Sequence, residues 1–268
     1  MSSLDLLFGT ASGGVKNGGT RKVTLVGAGP GDPGLLTRKG YDALVTADVV
    51  FFDELVSPDI IDLLPSHVRC VYVGKPCKTA AISQDDIIHQ LIVAARTGVR
   101  VVRLKGGDPM VFGRSAEEID ALRDAGIEVD VVPGITSASG AAASTRISLT
   151  HRDYAAQVSF VTAARREGEL ADVNGLAGKG KTLVVYMGIA RARALSQALQ
   201  ADGVDAALPI AIVENATRAD ERVIITTVAA LPETVAVHNV RSPALFIVGD
   251  VVRTYIPAGV SADAAARA

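Results

Sequence analysis

The sequence predicts an α/β protein made of two α/β domains. Short apolar, β-branched runs alternate with amphipathic helical stretches in both halves of the chain. Several of these runs end in glycine-rich turns, as strands that feed helices do. At 268 residues the chain is long enough for two domains of ordinary size, or one large one, with a substantial core in either case.

Composition narrows the class of function. With 49% hydrophobic residues, 21% charged residues and a formal net charge of -2, the chain is neither disordered nor a general polyanion binder. Nucleic acid is not an expected partner, and a substrate rich in carboxylates would need a local cluster of cations. Cys70 and Cys77 lie seven residues apart without a partnering His or Cys pair, so neither a metal site nor a disulfide framework is expected. A reducing cytoplasm is the expected location. No apolar run approaches the roughly 18 residues that span a bilayer, so no membrane partner is expected. Residues 1–21 carry four glycines from Gly13 to Gly19 and read as a flexible N-terminal tail without the pattern of a signal peptide.

The first element is a strand over Val23–Val26, closed by Gly27, Gly29, Pro30, Gly31, Asp32 and Pro33, with helical spacing resuming at Leu35 and Leu36. Strand, glycine loop and helix together are the usual opening of a nucleotide or cofactor site. A dinucleotide fingerprint requires glycine at the sixth place, where Asp32 stands, and its carboxylate would repel a pyrophosphate. A cofactor without phosphates, such as S-adenosylmethionine, fits better. The same loop also reads as a plain strand-to-helix turn.

A second strand over residues 48–52 ends at Asp53, where open α/β sheets bind ligands. Asp53 is a candidate base, and it suits equally well the capping of the turn before Ser57 and Pro58. Cys70–Val73 is a third strand with Lys75 at its end, a position that by itself reads as a solvated lysine. Ser83 and Asp86 open a helix that runs to Thr97 and stops at Gly98. The next strand ends in Gly106 and Gly107 and gathers Arg103, Lys105 and Arg114 around one acid, Asp108. That is the cation cluster an acidic substrate requires, although Arg103 and Lys105 also read as charges at a sheet edge. Ser115 and Glu118 read as a capping box for a helix that ends at Gly126.

Residues 127–132 form a strand, followed by Pro133–Ser137 and the small-residue helix Ala138–Ser144. The polar run 149–155 marks the domain boundary, giving an N-terminal domain of residues 22–146 and a C-terminal domain of residues 147–256. Strands are expected at 158–162, 182–187, 210–213, 222–226 and 245–248, with a helix over 189–201 and a frayed C-terminus at 257–268.

Taken in order, GAGPGDP at 27–33, D-x-LVS at 53–57, GK at 74–75, RLKGGDP-x-VFGR at 103–114, VVPGIT at 131–136, SLTHRDYA at 148–155, YMG at 186–188 and EN-x-T at 214–217 resemble the tetrapyrrole methylase family. The resemblance covers nearly all of residues 22–252. It implies two α/β domains with a cofactor cleft between them, a homodimer, and two successive methylations of uroporphyrinogen III to precorrin-2, on the way to sirohaem or cobalamin. S-adenosylmethionine would be the co-substrate and S-adenosylhomocysteine the product. Carried over by position, its contacts would be Pro30, Gly106, Gly107, Asp108, Val111, Thr136, Ser137, Met187 and Ala216. Asp53 would take the place of the family's proton acceptor and Lys75 that of its proton donor. Arg103, Lys105, Arg114 and Arg152 would pair with the acetate and propionate groups of the substrate. The family usually carries Gly at position 216, Ala at 137, and Gly-Gly at 115–116. Competing expectations are another tetrapyrrole methylase, such as a later precorrin methyltransferase, an NAD-dependent dehydrogenase and a non-catalytic effector-binding module.

Overall fold

The computed structural model describes residues 21–74, 83–163 and 169–257. Lys75, Cys77, the tail at 1–20 and the C-terminus from 258 lie outside the described residues. The chain forms two compact units, Met1–Thr136 and Ser137–Ala268.

The first unit holds five parallel strands in the order β3-β2-β4-β1-β5. They are β1 (Lys22–Gly27), β2 (Val49–Phe52), β3 (Arg69–Tyr72), β4 (Val101–Lys105) and β5 (Glu128–Val132). Period-2 alternation sorts their side chains onto two faces. Val26, Val50, Val102 and Leu104 pack with Leu44 of α1 (Arg38–Val45) and Ile60 of α2 (Pro58–Ile61). Val23, Leu25, Val49, Phe51 and Val101 pack with Ile87 and Leu91 of α3 (Gln84–Arg96) and Ile119 and Leu122 of α4 (Ser115–Asp124). Each fully buried Leu or Phe here stabilises the unit by about 1.5–3 kcal/mol over an exposed one. From β1 the chain passes beyond β4 to reach β2, and from β4 it passes beyond β1 to reach β5. The connections leave these two neighbours in opposite directions, and it is outside the carboxyl ends at such a point that open α/β sheets bind ligands.

Helix α3 begins as its sequence indicates: Ser83 Oγ accepts the N–H of Asp86, and Asp86 accepts that of Ser83. The box expected at Ser115 and Glu118 is absent. Arg114 holds the cap position, Ser115 donates its hydroxyl to the carbonyl of Pro109, and Glu118 points inward. The acid is drawn to two buried cations in place of the exposed backbone of its own first turn.

The second unit holds β6 (Ala155–Thr162), β7 (Gly180–Tyr186), β8 (Pro209–Glu214), β9 (Arg222–Thr227) and β10 (Ala244–Val248) in the order β6-β7-β10-β8-β9. Only β6 and β7 pair in parallel. Helix α5 (Ser137–Thr145) belongs to this unit, ahead of the boundary read from the sequence: its Ala138 and Ala141 pack on Val184, Val213 and Leu245. The opposite face, with Leu183, Val185 and Phe246, is covered by Leu195 and Leu199 of α6 (Ala192–Ala201) and Leu231 of α7 (Leu231–Val237).

Candidate functional site

In the first unit the site is built from backbone. Gly29 and Gly107 exchange both of their N–H···O bonds, at 3.1 and 2.8 Å, so the loops after β1 and β4 are clamped together. The loop after β5 closes on the same point. A Cβ placed on Gly134 would lie 2.3 Å from the carbonyl oxygen of Gly107 and 2.7 Å from Cα of Gly27. Three main chains thus meet where a single methyl group would not fit.

Polar side chains hold the rim. Asp108 accepts the N–H of Met110 at 2.8 Å and that of Gly134 at 2.9 Å. Asp32 is exposed and caps the short 3-10 turn Pro33–Leu35 by accepting the N–H of Gly34 at 2.7 Å. That role explains an acid at the sixth place of the loop. Pro30 is buried, and Val111, half-buried, donates its N–H to the carbonyl of Asp108. Gly106 lies against the loop after β2, since a Cβ there would sit 2.8 Å from that of Leu55. The motifs that begin at Gly27, Asp53, Arg103 and Val131 therefore converge on one edge of one sheet.

Asp53 makes the turn cap that was one of its two readings, and it is also paired with a cation. Its Oδ1 caps the turn through the N–H of Leu55 at 3.1 Å, and its Oδ2 accepts Nη2 of Arg103 at 2.6 Å. A quarter of its side chain remains exposed.

Arg103 and Lys105 depart from expectation. Along β4 they share the face of Val101, toward α3 and α4, and are 3% and 4% exposed. Glu118, fully buried, accepts Nζ of Lys105 at 2.8 Å and Nε of Arg103 at 3.4 Å. Burial pushes the Lys105 ammonium below its usual range, against the pull of Glu118. Charges enclosed and paired in this way do not reach a carboxylate arriving from solvent. The substrate-binding expectation for these two residues therefore gives way to a role inside the sheet-helix layer. Arg114 is different: it is 55% exposed, sits at φ 55° and pairs with exposed Glu117.

In the second unit, three of the expected cofactor residues gather at one sheet edge. Strands β7 and β8 run the same way on either side of β10, so Met187 and Ala216 both follow carboxyl ends at that edge. Met187 is half exposed at φ 55°, a conformation an unbranched side chain seldom adopts. Ala216 is buried between Asn215 and Thr217, both at positive φ. Tyr186 brings Ser137 to the same edge by accepting the N–H of Ala138 at 3.0 Å. Thr136 is half-buried at the end of the first unit, and Arg152 is exposed in the second. Lys75 lies outside the described residues. Sequence reasoning missed Glu118 as a partner of the strand cations and Tyr186 as the anchor of α5. Both are visible only once packing brings distant residues together.

No group of three or more His, Cys, Asp or Glu among the described residues is arranged to hold a metal ion. No described helix is long and apolar enough to cross a membrane.

Comparison with known proteins places these motifs. Residues 22–232 match the family model described as Tetrapyrrole (Corrin/Porphyrin) Methylases. The chain is 49% identical over 243 residues to a siroheme synthase of Chromobacterium violaceum, covering 90% of this chain and 51% of that protein. A siroheme synthase of Gluconacetobacter diazotrophicus is 48% identical over 250 residues, 92% of this chain and 52% of that one. The chain thus spans about half the length of the curated relatives it matches. Among solved structures, a uroporphyrin-III C-methyl transferase from Thermus thermophilus, complexed with S-adenyl homocysteine, is 40% identical with a TM-score of 0.77, covering 87% of this chain and all of that one. A cobalt precorrin-4 methyltransferase gives the same TM-score at 28% identity, over 87% of this chain and 96% of its own.

Proposed function

Because this chain belongs to the tetrapyrrole (corrin/porphyrin) methylase family, we propose that it is an S-adenosylmethionine-dependent C-methyltransferase that converts uroporphyrinogen III to precorrin-2 in two methylations. The observation that carries the reading is the convergence of the β1, β4 and β5 loops on a backbone junction that Asp108 braces through Gly134, with exposed Asp32 farther along the β1 loop. Acceptors suit a ligand that brings an ammonium and a sulfonium; they would oppose the phosphates of a dinucleotide. Uroporphyrinogen III is favoured over a later precorrin because the similarity to the structure named for that substrate is higher than to the precorrin-4 enzyme.

When bound, S-adenosylmethionine supplies an electrophilic methyl group to a ring carbon. The residues of the chain bind, align and exclude water. Pro30, Gly106, Gly107, Asp108, Val111 and Thr136 of the first unit, with Ser137, Met187 and Ala216 of the second, are proposed as the cofactor contacts. Asp53, held from two sides and still partly open to solvent, is proposed to take the proton that leaves the methylated substrate. Lys75 is proposed as the proton donor. Arg114 and Arg152, both exposed, are proposed to meet substrate carboxylates. We place the enzyme in the cytoplasm as a homodimer; light scattering of the purified protein tests the dimer.

Anaerobic incubation with S-adenosylmethionine and enzymatically generated uroporphyrinogen III, read by mass spectrometry, tests the activity. A tetrapyrrole that gains two methyl groups is the expected product. Binding of the cofactor without transfer would sink the substrate assignment, and absence of binding would sink the whole reading.

A further inference from the structure

We infer that Glu118 is a positioning residue that acts through Arg103 on the Asp53 carboxylate, an inference that rests on Asp53 being the proton acceptor proposed above. Glu118 is fully buried and accepts three donors: Nε2 of Gln84 at 2.9 Å, Nε of Arg103 at 3.4 Å and Nζ of Lys105 at 2.8 Å. Arg103 carries the link outward. Its Nη1 donates to the carbonyl of Leu104 at 2.9 Å and its Nη2 to Asp53 at 2.6 Å.

A guanidinium is a rigid plane with its donors in fixed directions. Glu118 on Nε, with the carbonyls of Leu104 at 2.9 Å and Phe51 at 3.5 Å on Nη1, determines where Nη2 points, and it points at Asp53. The carboxylate then has its own plane set by two donors on different oxygens, Arg103 on Oδ2 and the Leu55 N–H on Oδ1. Exposure falls along the same line, from a quarter at Asp53 to 4% at Arg103 and none at Glu118. The open end of the chain is the one that faces chemistry. Charge balances as well: Asp53 and Glu118 offset Arg103 and Lys105. Without Glu118 two buried cations would compete for one carboxylate, and the fork would lose its fixed aim. A glutamate present only to neutralise Lys105 would have no need to hold Nε of Arg103 and Gln84 of a second helix.

The test is a double-mutant cycle of wild type, Glu118→Gln, Asp53→Asn and the two combined, followed by kcat, KM for each substrate and melting temperature. Glu118→Gln is expected to lower kcat about tenfold or more while KM for S-adenosylmethionine stays within about threefold. In the Asp53→Asn background the same change is expected to lower kcat by less than about twofold, because its target is gone. Equal losses in both backgrounds would mark Glu118 as merely structural and overturn the inference, as would a fully active Asp53→Asn or Glu118→Gln enzyme. The crystal structure of Glu118→Gln is a second readout, independent of turnover. The contact from Arg103 to Asp53 is expected to open beyond about 3.5 Å, and its retention at 2.6 Å overturns the inference. A wild-type enzyme inactive on uroporphyrinogen III counts against the proposed function, whereas the crystallographic arm still decides the positioning. Should Glu118→Gln fail to fold, Lys105→Met combined with Glu118→Gln removes both buried charges and carries the same comparisons.

Discussion

Asp108, at the carboxyl end of β4, accepts the backbone N–H of Gly134, at the carboxyl end of β5, at 2.9 Å. Through its other oxygen it also holds the N–H of Met110. One side chain therefore sets the spacing of two loops that carry expected cofactor contacts. Asp108→Ala leaves both donors without this acceptor, which costs about 1–3 kcal/mol for a buried group and less for one that water can reach. The expected result is a fall in affinity for S-adenosylmethionine of about tenfold or more, measured by calorimetry, in a protein that still folds. Unchanged affinity would remove Asp108 from the cofactor site.

The backbone junction makes a sharper prediction. Gly134→Ala places a methyl group 2.3 Å from the Gly107 carbonyl oxygen, between main chains that cannot swing aside as a flexible side chain can. Gly126→Ala meets nothing within 4 Å and suffers only the strain of φ +71°, about 1–2 kcal/mol. Urea unfolding should therefore show Gly134→Ala as the more destabilised of the two, by about 2 kcal/mol or more, and it alone should lose cofactor binding. Equal losses would mean the three loops have room to separate.

The strands and the glycines that close them were legible because both are local. Short apolar, β-branched runs show strands, and Gly27, Gly107 and Gly134 stand near their ends; that the three meet where bulk is excluded shows only in the fold. Arg103 and Lys105 were misleading for a physical reason. Cations beside glycines at a strand end look the same in sequence whether they meet a ligand or a buried acid. The deciding partner, Glu118, is 13 residues beyond Lys105, in a stretch that reads as a helix cap. Alternation correctly separated Arg103 and Lys105 from Val102 and Leu104; which face a helix would cover with an acid was not written in it. The placement of α5 with the second unit likewise depends on Ala138 and Ala141 meeting the second sheet, contacts that small residues do not announce.

Glu214, at the end of β8, gives a pH-dependent prediction. Burial alone would raise its pKa, but hydrogen bonds from the Arg222 side chain and the Arg241 N–H outweigh burial and hold it below the ordinary glutamate value. Its folded pKa is thus below the unfolded value of about 4.3. The resulting stabilisation is present above that pH and is lost as pH falls through the folded pKa. Glu214→Gln should cost about 1–2 kcal/mol at pH 7, the lower part of the range for charge-assisted bonds because solvent screens Arg222. Against wild type, the difference in urea midpoint should shrink toward pH 3. A difference that stays constant from pH 7 to pH 3 would refute the electrostatic attribution.

Arg114 separates substrate binding from stability. Its side chain is 55% exposed and its partner Glu117 42% exposed, so the pair contributes less than about 0.5 kcal/mol to folding and readily exchanges for another carboxylate. Arg114→Ala should leave the melting temperature and the affinity for S-adenosylmethionine nearly unchanged. If Arg114 meets a substrate carboxylate, KM for uroporphyrinogen III should rise about tenfold, the loss of one charge-assisted contact of about 1.4 kcal/mol. Arg103→Ala should behave in the opposite way, with a large fall in melting temperature, because it strips a donor from both Asp53 and the buried Glu118. An Arg114→Ala enzyme with unchanged KM would leave exposed Arg152 as the described residue to test next for that role. A stable Arg103→Ala protein with a raised KM would return Arg103 to the substrate site, against the burial and pairing seen here.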